Sequence, residues 1–141
     1  MENSYQDLII RYQNLFGGIK PAGDNIECEI GWYDLLEDLC NYIQDIIDTN
    51  RKMVKHQLLI TQIKQKDGCL RVYYKWTKID DEIELMFPSH ENGIMNKLEG
   101  AIGFAQFISC SICETCGKKG NIQSFNGRVY VSCAEHKLKD G

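Results

Sequence analysis

The residues with the clearest chemical potential lie near the C-terminus, where Cys113-Glu114-Thr115-Cys116-Gly117 is answered by Cys133-Ala134-Glu135-His136. Three thiolates and an imidazole, paired at two-residue gaps, suit one tetrahedral Zn²⁺. Within each pair the gap lets a tight turn or a first helical turn aim both donors at one point. The interval between the pairs is long enough for a β-hairpin that brings them together. Cys110-Ser111-Ile112-Cys113 offers an overlapping pair at the same spacing. Gly117 favours the second pair: the residue after the second cysteine of such a knuckle turns with positive φ, so that backbone N–H groups face the thiolates, and glycine does this without strain. Cys113, Cys116, Cys133 and His136 are therefore the expected ligands. Cys110 is left at the end of the preceding helix as a competing donor.

Four protein ligands fill the shell and leave no position for a reacting water, which marks a structural zinc. Its expected role is to fold a terminal lobe of about 30 residues, too small to bury a sufficient core alone. Catalytic templates are missing from the sequence. There is no His-Glu-x-x-His, no His-x-Glu upstream of the paired cysteines as a zinc deaminase requires, no phosphate-binding glycine loop, no Gly-x-Ser-x-Gly, and no cysteine with an evident histidine partner. The sequence points to a non-enzymatic protein, with a nuclease or nucleotide hydrolase as the least favoured reading.

A second candidate lies on a predicted β-hairpin over residues 57–76. Asp67-Gly68 is a two-residue turn signal. Setting the register on it pairs Lys66 with Cys69, Gln65 with Leu70, Lys64 with Arg71, Ile63 with Val72 and Gln62 with Tyr73. One face then carries Thr61, Ile63, Gln65, Leu70, Val72 and Tyr74 and is expected to be buried. The other carries Ile60, Gln62, Lys64, Arg71, Tyr73 and Lys75. Lys64 opposite Arg71 is repulsive unless something negative lies between them. A carboxylate from the acidic segments would serve. So would a phosphate or carboxylate ligand bound by Lys64, Arg71, Tyr73 and Lys75, with Tyr73 and Trp76 available for stacking and Arg71 for a bidentate contact.

The elements that must position these groups read as α+β: helices packed on a small antiparallel sheet, with a C-terminal zinc-ribbon or treble-clef-like lobe. Helices are expected over about 4–16 (Ser4 as N-cap, Gly17-Gly18 as the stop), 32–49 and 94–110, giving an α+β domain over 1–110 and a zinc-binding lobe over 111–141. Residues 17–31 read as a loop. Pro88-Ser89-His90 and Asn92-Gly93 are expected to keep the stretch before residue 94 out of any helix, and His56 and His90 read as surface histidines. In the second helix Cys40 reads as a core filler. In the third, Gly100 and Gly103 weaken the helix and would permit close packing against another element or self-association. In the lobe, Ile122 to Phe125 and Arg128 to Ser132 are expected as strands around an Asn126-Gly127 turn.

The 141 residues carry a net charge of −4 and are 43% apolar, as in an ordinary globular chain. Charge comes in blocks: residues 1–50 hold 2 basic and 10 acidic residues, and 51–78 hold 8 and 1. Either acidic helices neutralise a basic sheet, or part of the basic block stays free to attract an anion. The acidic balance disfavours a general nucleic-acid coat. No apolar run approaches the roughly 20 residues of a membrane span. The N-terminal residues show no signal-peptide pattern, so the expected location is the cytoplasm, where reduced, metal-bound cysteine is the usual form and a disulfide framework is not.

Gly31-Trp32-Tyr33-Asp34-Leu35-Leu36, then Gln62-Ile63-Lys64-Gln65-Lys66 with Gly68 and Leu70-Arg71-Val72-Tyr73, then Asp81-Glu82-Ile83, and finally the two ligand pairs form a combined pattern. On these residues the chain resembles a family of small, mostly uncharacterised proteins common in bacteriophage and prophage genomes, over most of residues 31–136. The resemblance implies a phage-borne accessory protein acting in the host cytoplasm on host defence or regulation. It also places Lys64, Arg71 and Tyr73 inside the matching segment. The expected activity is binding of a host protein or a small anionic, nucleotide-like ligand. The alternative is a nucleic-acid-binding regulator using Lys118, Lys119 and Arg128 of the zinc lobe.

Overall fold

The computed structural model describes residues 4–17, 26–51, 53–79 and 88–138. Gly18, most of the expected 17–31 loop and the Asp81-Glu82-Ile83 motif lie outside them.

The chain begins with α1 (Tyr5–Arg11) and α2 (Gln13–Phe16), separated at Tyr12, where one helix over 4–16 was expected. Ser4 caps α1 by accepting a hydrogen bond from the Asp7 N–H, and Gly17 ends α2 in the left-handed region at φ 46°. The end of the expected loop is structured. Ile26–Glu27 forms strand β1, and a 3-10 turn over Ile30–Trp32 leads into α3 (Tyr33–Thr49). Tyr33, Leu36, Leu39, Cys40, Ile43 and Ile47 form the buried stripe of α3, with Cys40 fully enclosed, and Trp32 of the preceding turn is buried as well.

β2 (His56–Lys66) and β3 (Cys69–Lys78) form the central hairpin. Its turn residues Asp67 and Gly68 have φ of 53° and 87°, and the pairs from Lys66↔Cys69 to Gln62↔Tyr73 are those the turn predicts. Beyond them the register shifts between Ile60 and Gln62. This bulge reverses the alternation of β2. Ile60 becomes core at 2% exposure and Thr61 turns to solvent, the opposite of the sequence expectation. β1 pairs with β2 in parallel, so the three-stranded sheet is mixed, with order β1-β2-β3.

α4 (Pro88–Ser109) is 22 residues long and starts six residues earlier than expected. Proline restrains the chain before itself but suits a first helical turn, where its missing N–H leaves no bond unmade. Pro88 therefore heads the helix that it was expected to break. His90 lies in that helix rather than in a loop. α4 runs beside β3: the Ser109 hydroxyl accepts a hydrogen bond from the Leu70 N–H at 2.8 Å, and Gln106 Oε1 accepts one from the Val72 N–H at 2.9 Å. Cys110, just past the helix, forms a disulfide with Cys69. That pairing removes it from the competing metal role expected of it.

The C-terminal segment forms a separate two-stranded sheet, β4 (Asn121–Phe125) and β5 (Arg128–Ser132), turned at Asn126-Gly127 as expected. Side chains from all four helices, the inner face of the first sheet and Val131 of β5 belong to one buried cluster. Each fully enclosed large apolar side chain contributes about 1.5–3 kcal/mol.

Candidate metal centre

Cys113, Cys116, Cys133 and His136 converge: their ligand atoms all lie within 4.8 Å of one another. The first pair sits on a knuckle closed by Gly117 N–H to Cys113 O (2.9 Å) and by Cys113 N–H to Lys118 O (2.7 Å), with Gly117 at φ 82°. The second pair sits on a 3-10 turn over Ala134–His136, held by His136 N–H to Cys133 O. Between the cysteine sulfurs, Cys116 to Cys133 is 3.7 Å, and His136 Nδ1 lies 3.0 Å from Cys133 Sγ and 3.8 Å from Cys113 Sγ. Cys113 is fully buried and Cys116 is exposed, so the site opens at one corner of the surface.

The local field favours thiolate where the donors are deepest. Burial pushes the Cys113 thiol up, but hydrogen bonds from the backbone N–H groups of Cys133, Cys116 and Thr115 outweigh it and bring the thiol down to about 6. Cys133 is also lowered: partial burial opposes ionisation, and hydrogen bonds with His136 and Cys116 favour it. His136 is raised, chiefly by its hydrogen bond to Cys133. The Gly117 turn thus turns N–H groups towards the sulfurs. Such a pocket is compatible with a bound cation.

The knuckle is seated on the helical body rather than hung from it. Gly31 N–H donates to Glu114 O at 2.7 Å, and Trp32 Nε1 donates to Ile112 O at 2.9 Å. Glu29 N–H donates to Glu114 Oε2 at 2.9 Å, and Thr115 Oγ1 donates to Glu29 Oε2 at 2.7 Å. The approach is so close that a Cβ on Gly31 would lie 2.3 Å from Cys113 O and 2.4 Å from Glu114 O. Gln65 Nε2 adds a bond to Val129 O at 3.0 Å. None of these supporting residues was singled out from the sequence as part of the site. Gly31-Trp32 was visible as the opening of a helix and as part of the combined sequence pattern, not as a seat for the knuckle.

The hairpin residues Lys64, Arg71, Tyr73 and Lys75 share the outer face of the first sheet. Lys64 and Arg71 are direct partners, and the Lys64 ammonium sits 5.4 Å from the Tyr73 ring centroid. β1 places Glu27 beside Lys64 in the same row, so a carboxylate from the acidic N-terminal block neighbours the repulsive pair. Trp76 is not on this face. Its indole packs edge-on against Tyr74 and donates to Glu99 at 3.4 Å on the core side, leaving Tyr73 as the exposed ring. Lys118, Lys119 and Arg128 are exposed on the C-terminal segment.

His56, expected at the surface, is half-buried, and its Nδ1 lies 2.6 Å from Glu91 Oε1. The same carboxylate accepts from the Lys55 N–H at 2.8 Å and is itself buried. This pair fastens the start of β2 to the first turns of α4, over 30 residues away in sequence. No helix among the described residues is long and apolar enough to cross a membrane. Comparison with protein-family models, curated proteins and solved structures found no match.

Proposed function

We propose that this protein is a non-enzymatic binding protein whose C-terminal hairpin is a small zinc-ribbon or treble-clef-like lobe, folded by one structural Zn²⁺ on Cys113, Cys116, Cys133 and His136. The observation that carries the reading is the convergence of four protein donors. Thiolate and imidazole select a borderline-soft ion over Mg²⁺ or Ca²⁺. With Zn–S about 2.3 Å and Zn–N about 2.05 Å, a tetrahedron has S···S edges of about 3.8 Å and S···N edges of about 3.6 Å. The Cys116–Cys133 S···S distance of 3.7 Å is near the first, and the S···N distances of 3.0 and 3.8 Å lie on either side of the second.

With the shell filled by the protein, the metal has no position for a reacting water, and its contribution is folding free energy. Function then rests on the surfaces that the metal holds in place. The outer hairpin face, with Lys64, Arg71, Tyr73 and Lys75, is the basic and aromatic one. The reading assigns it a partner carrying negative charge, either a host protein or a small anionic, nucleotide-like ligand, in the role of a phage accessory protein acting on host defence or regulation.

Metal analysis of the purified chain tests the premise: about one zinc per chain is expected, with chelation lowering the thermal midpoint. A chain that carries no zinc, takes up none when it is supplied and melts identically with a chelator would refute it. Titration of ATP into wild type and Arg71→Ala then tests the small-ligand version. Binding that Arg71→Ala weakens supports that version. Equal affinity, or no binding to either, removes it and leaves the protein partner. Retention of DNA or RNA at low salt, lost steeply as salt rises, would favour the nucleic-acid reading through Lys118, Lys119 and Arg128 instead.

A further inference from the structure

α3 and α4 lie side by side and leave between them a groove of about 370 Å³. Leu35, Leu39 and Tyr42 form one wall, and Ala101, Phe104 and Ile108 form the other. Phe104 is 64% exposed, and Phe107, on the same outward ridge of α4, is 75% exposed. Two exposed phenylalanines beside an open apolar groove are poor surface chemistry for an isolated chain.

The same ridge contains the opposite anomaly. Gly93, Gly100 and Gly103 are helical positions where a glycine is unfavourable relative to alanine, yet a Cβ at any of them would meet nothing within 4 Å. Nothing packed among the described residues requires them. They do not serve the close internal packing that the sequence suggested for Gly100 and Gly103. Gly93, Gly100 and Phe107 recur at steps of seven residues, with Phe104 four residues after Gly100, so they lie along one side of the helix. Its N-terminal half carries the exposed polar side chains of Asn96 and Lys97 between the two glycines, and its C-terminal half carries the two rings.

Bulk and space on one patch are what an isologous contact needs, because a two-fold axis brings each feature of the patch against a different feature of its copy. Charge follows the same pattern. Asp38 on α3 and Lys97 on α4 flank the groove with opposite signs, both are exposed, and neither belongs to an ion pair among the described residues. We infer that this face is an interface between two copies of the chain, with α4 packed antiparallel on α4, the phenylalanines of each copy set against the glycines and groove of the other, and Asp38 of each copy brought towards Lys97 of the other. The inference does not depend on the metal.

Sedimentation velocity of the full chain over about 1 to 200 µM tests it, since dimer mass must rise with concentration. Wild type is expected to shift from monomer to dimer across that range. Phe107→Lys and Gly100→Leu should each weaken the dimer at least tenfold while keeping the far-UV circular dichroism and melting midpoint of the monomer, because both side chains point into open space in the single chain. A wild-type chain that stays monomeric throughout overturns the inference, and so would a groove filled instead by a different protein or a lipid surface. A dimer that Gly100→Leu leaves intact overturns it as well.

Discussion

Gly31→Ala adds one methyl group to a half-buried turn, and it is expected to be among the most damaging single changes in the chain. The new Cβ would sit 2.3 Å from Cys113 O and 2.4 Å from Glu114 O, both backbone atoms with no rotamer to escape into. Retreat of the knuckle to an ordinary contact near 3.4 Å requires about 1.1 Å of movement, which would stretch the 2.7 Å bond from Gly31 N–H to Glu114 O to about 3.8 Å and break it. The neighbouring bonds from Trp32 Nε1 and the Glu29 N–H lie on the same seam and go with it. At about 1 kcal/mol for each neutral bond, and somewhat more for those to a carboxylate, the loss is about 3–5 kcal/mol. In urea, with a slope of about 2 kcal/mol per M, the midpoint should fall by about 1.5–2.5 M. Tryptophan fluorescence reads this directly, since Trp32 is fully enclosed beside the seam. Gly103→Ala is the control: the same methyl meets nothing, and at dilute concentration it should be neutral or stabilising by up to about 1 kcal/mol. If Gly31→Ala unfolds within about 0.5 kcal/mol of wild type, the seam does not couple the knuckle to the body and the steric reasoning is wrong.

Two further outcomes follow from contacts away from the metal. The Cys69–Cys110 disulfide spans 41 residues, for which the chain-entropy relation gives about 4 kcal/mol of stabilisation; the Cys69→Ser/Cys110→Ser double variant should lose much of it in equilibrium denaturation, and an unchanged midpoint would show that the cross-link constrains little. Burial opposes ionisation of Glu91, but its hydrogen bonds with His56 and the Lys55 N–H outweigh this and hold the carboxyl below its usual 4.5. Because the folded value is the lower one, the carboxylate's contribution is complete above about 4.5 and is lost as pH falls through the folded value. Glu91→Gln should cost about 1–3 kcal/mol at neutral pH and flatten the acid limb of the stability profile, and an acid limb of unchanged slope would exclude Glu91 as its source.

The parts of this fold that were legible in the sequence are those governed by local backbone chemistry. A two-residue Asp-Gly turn demands positive φ at both positions, which fixes the pairs nearest to it, and the register from Lys66↔Cys69 to Gln62↔Tyr73 is the consequence. The four donors were legible because a metal shell needs fixed spacings. The bulge at Thr61 lay further from the turn, where plain alternation predicts the wrong face. Its trace was present: Leu58 and Ile60 are apolar at even positions and Ile63 at an odd one, a change of parity that only an extra residue accommodates. Pro88 was read for what proline forbids in a helix interior rather than for what it suits at the first turn. The Cys69–Cys110 cross-link, the His56–Glu91 latch and the seating of Glu114 on Gly31 join residues at least 35 positions apart, and no local pattern announces them. Tyr12 divides α1 from α2 without a side-chain cap, and no contact among the described residues accounts for the break.

The placement of α4 along β3 determines how a partner can approach the hairpin. A free sheet edge is a template: its unpaired N–H and C=O groups invite another extended chain to join as one more strand. On β3 the Ser109 hydroxyl and the Gln106 amide occupy the outward N–H groups of Leu70 and Val72. The other flank is taken in part by Ile26 and Glu27. Recruitment by strand addition is therefore closed along this stretch of β3, as is runaway edge-to-edge stacking of copies. What this stretch of the hairpin leaves open is its outer face, where Lys64, Arg71 and Tyr73 stand.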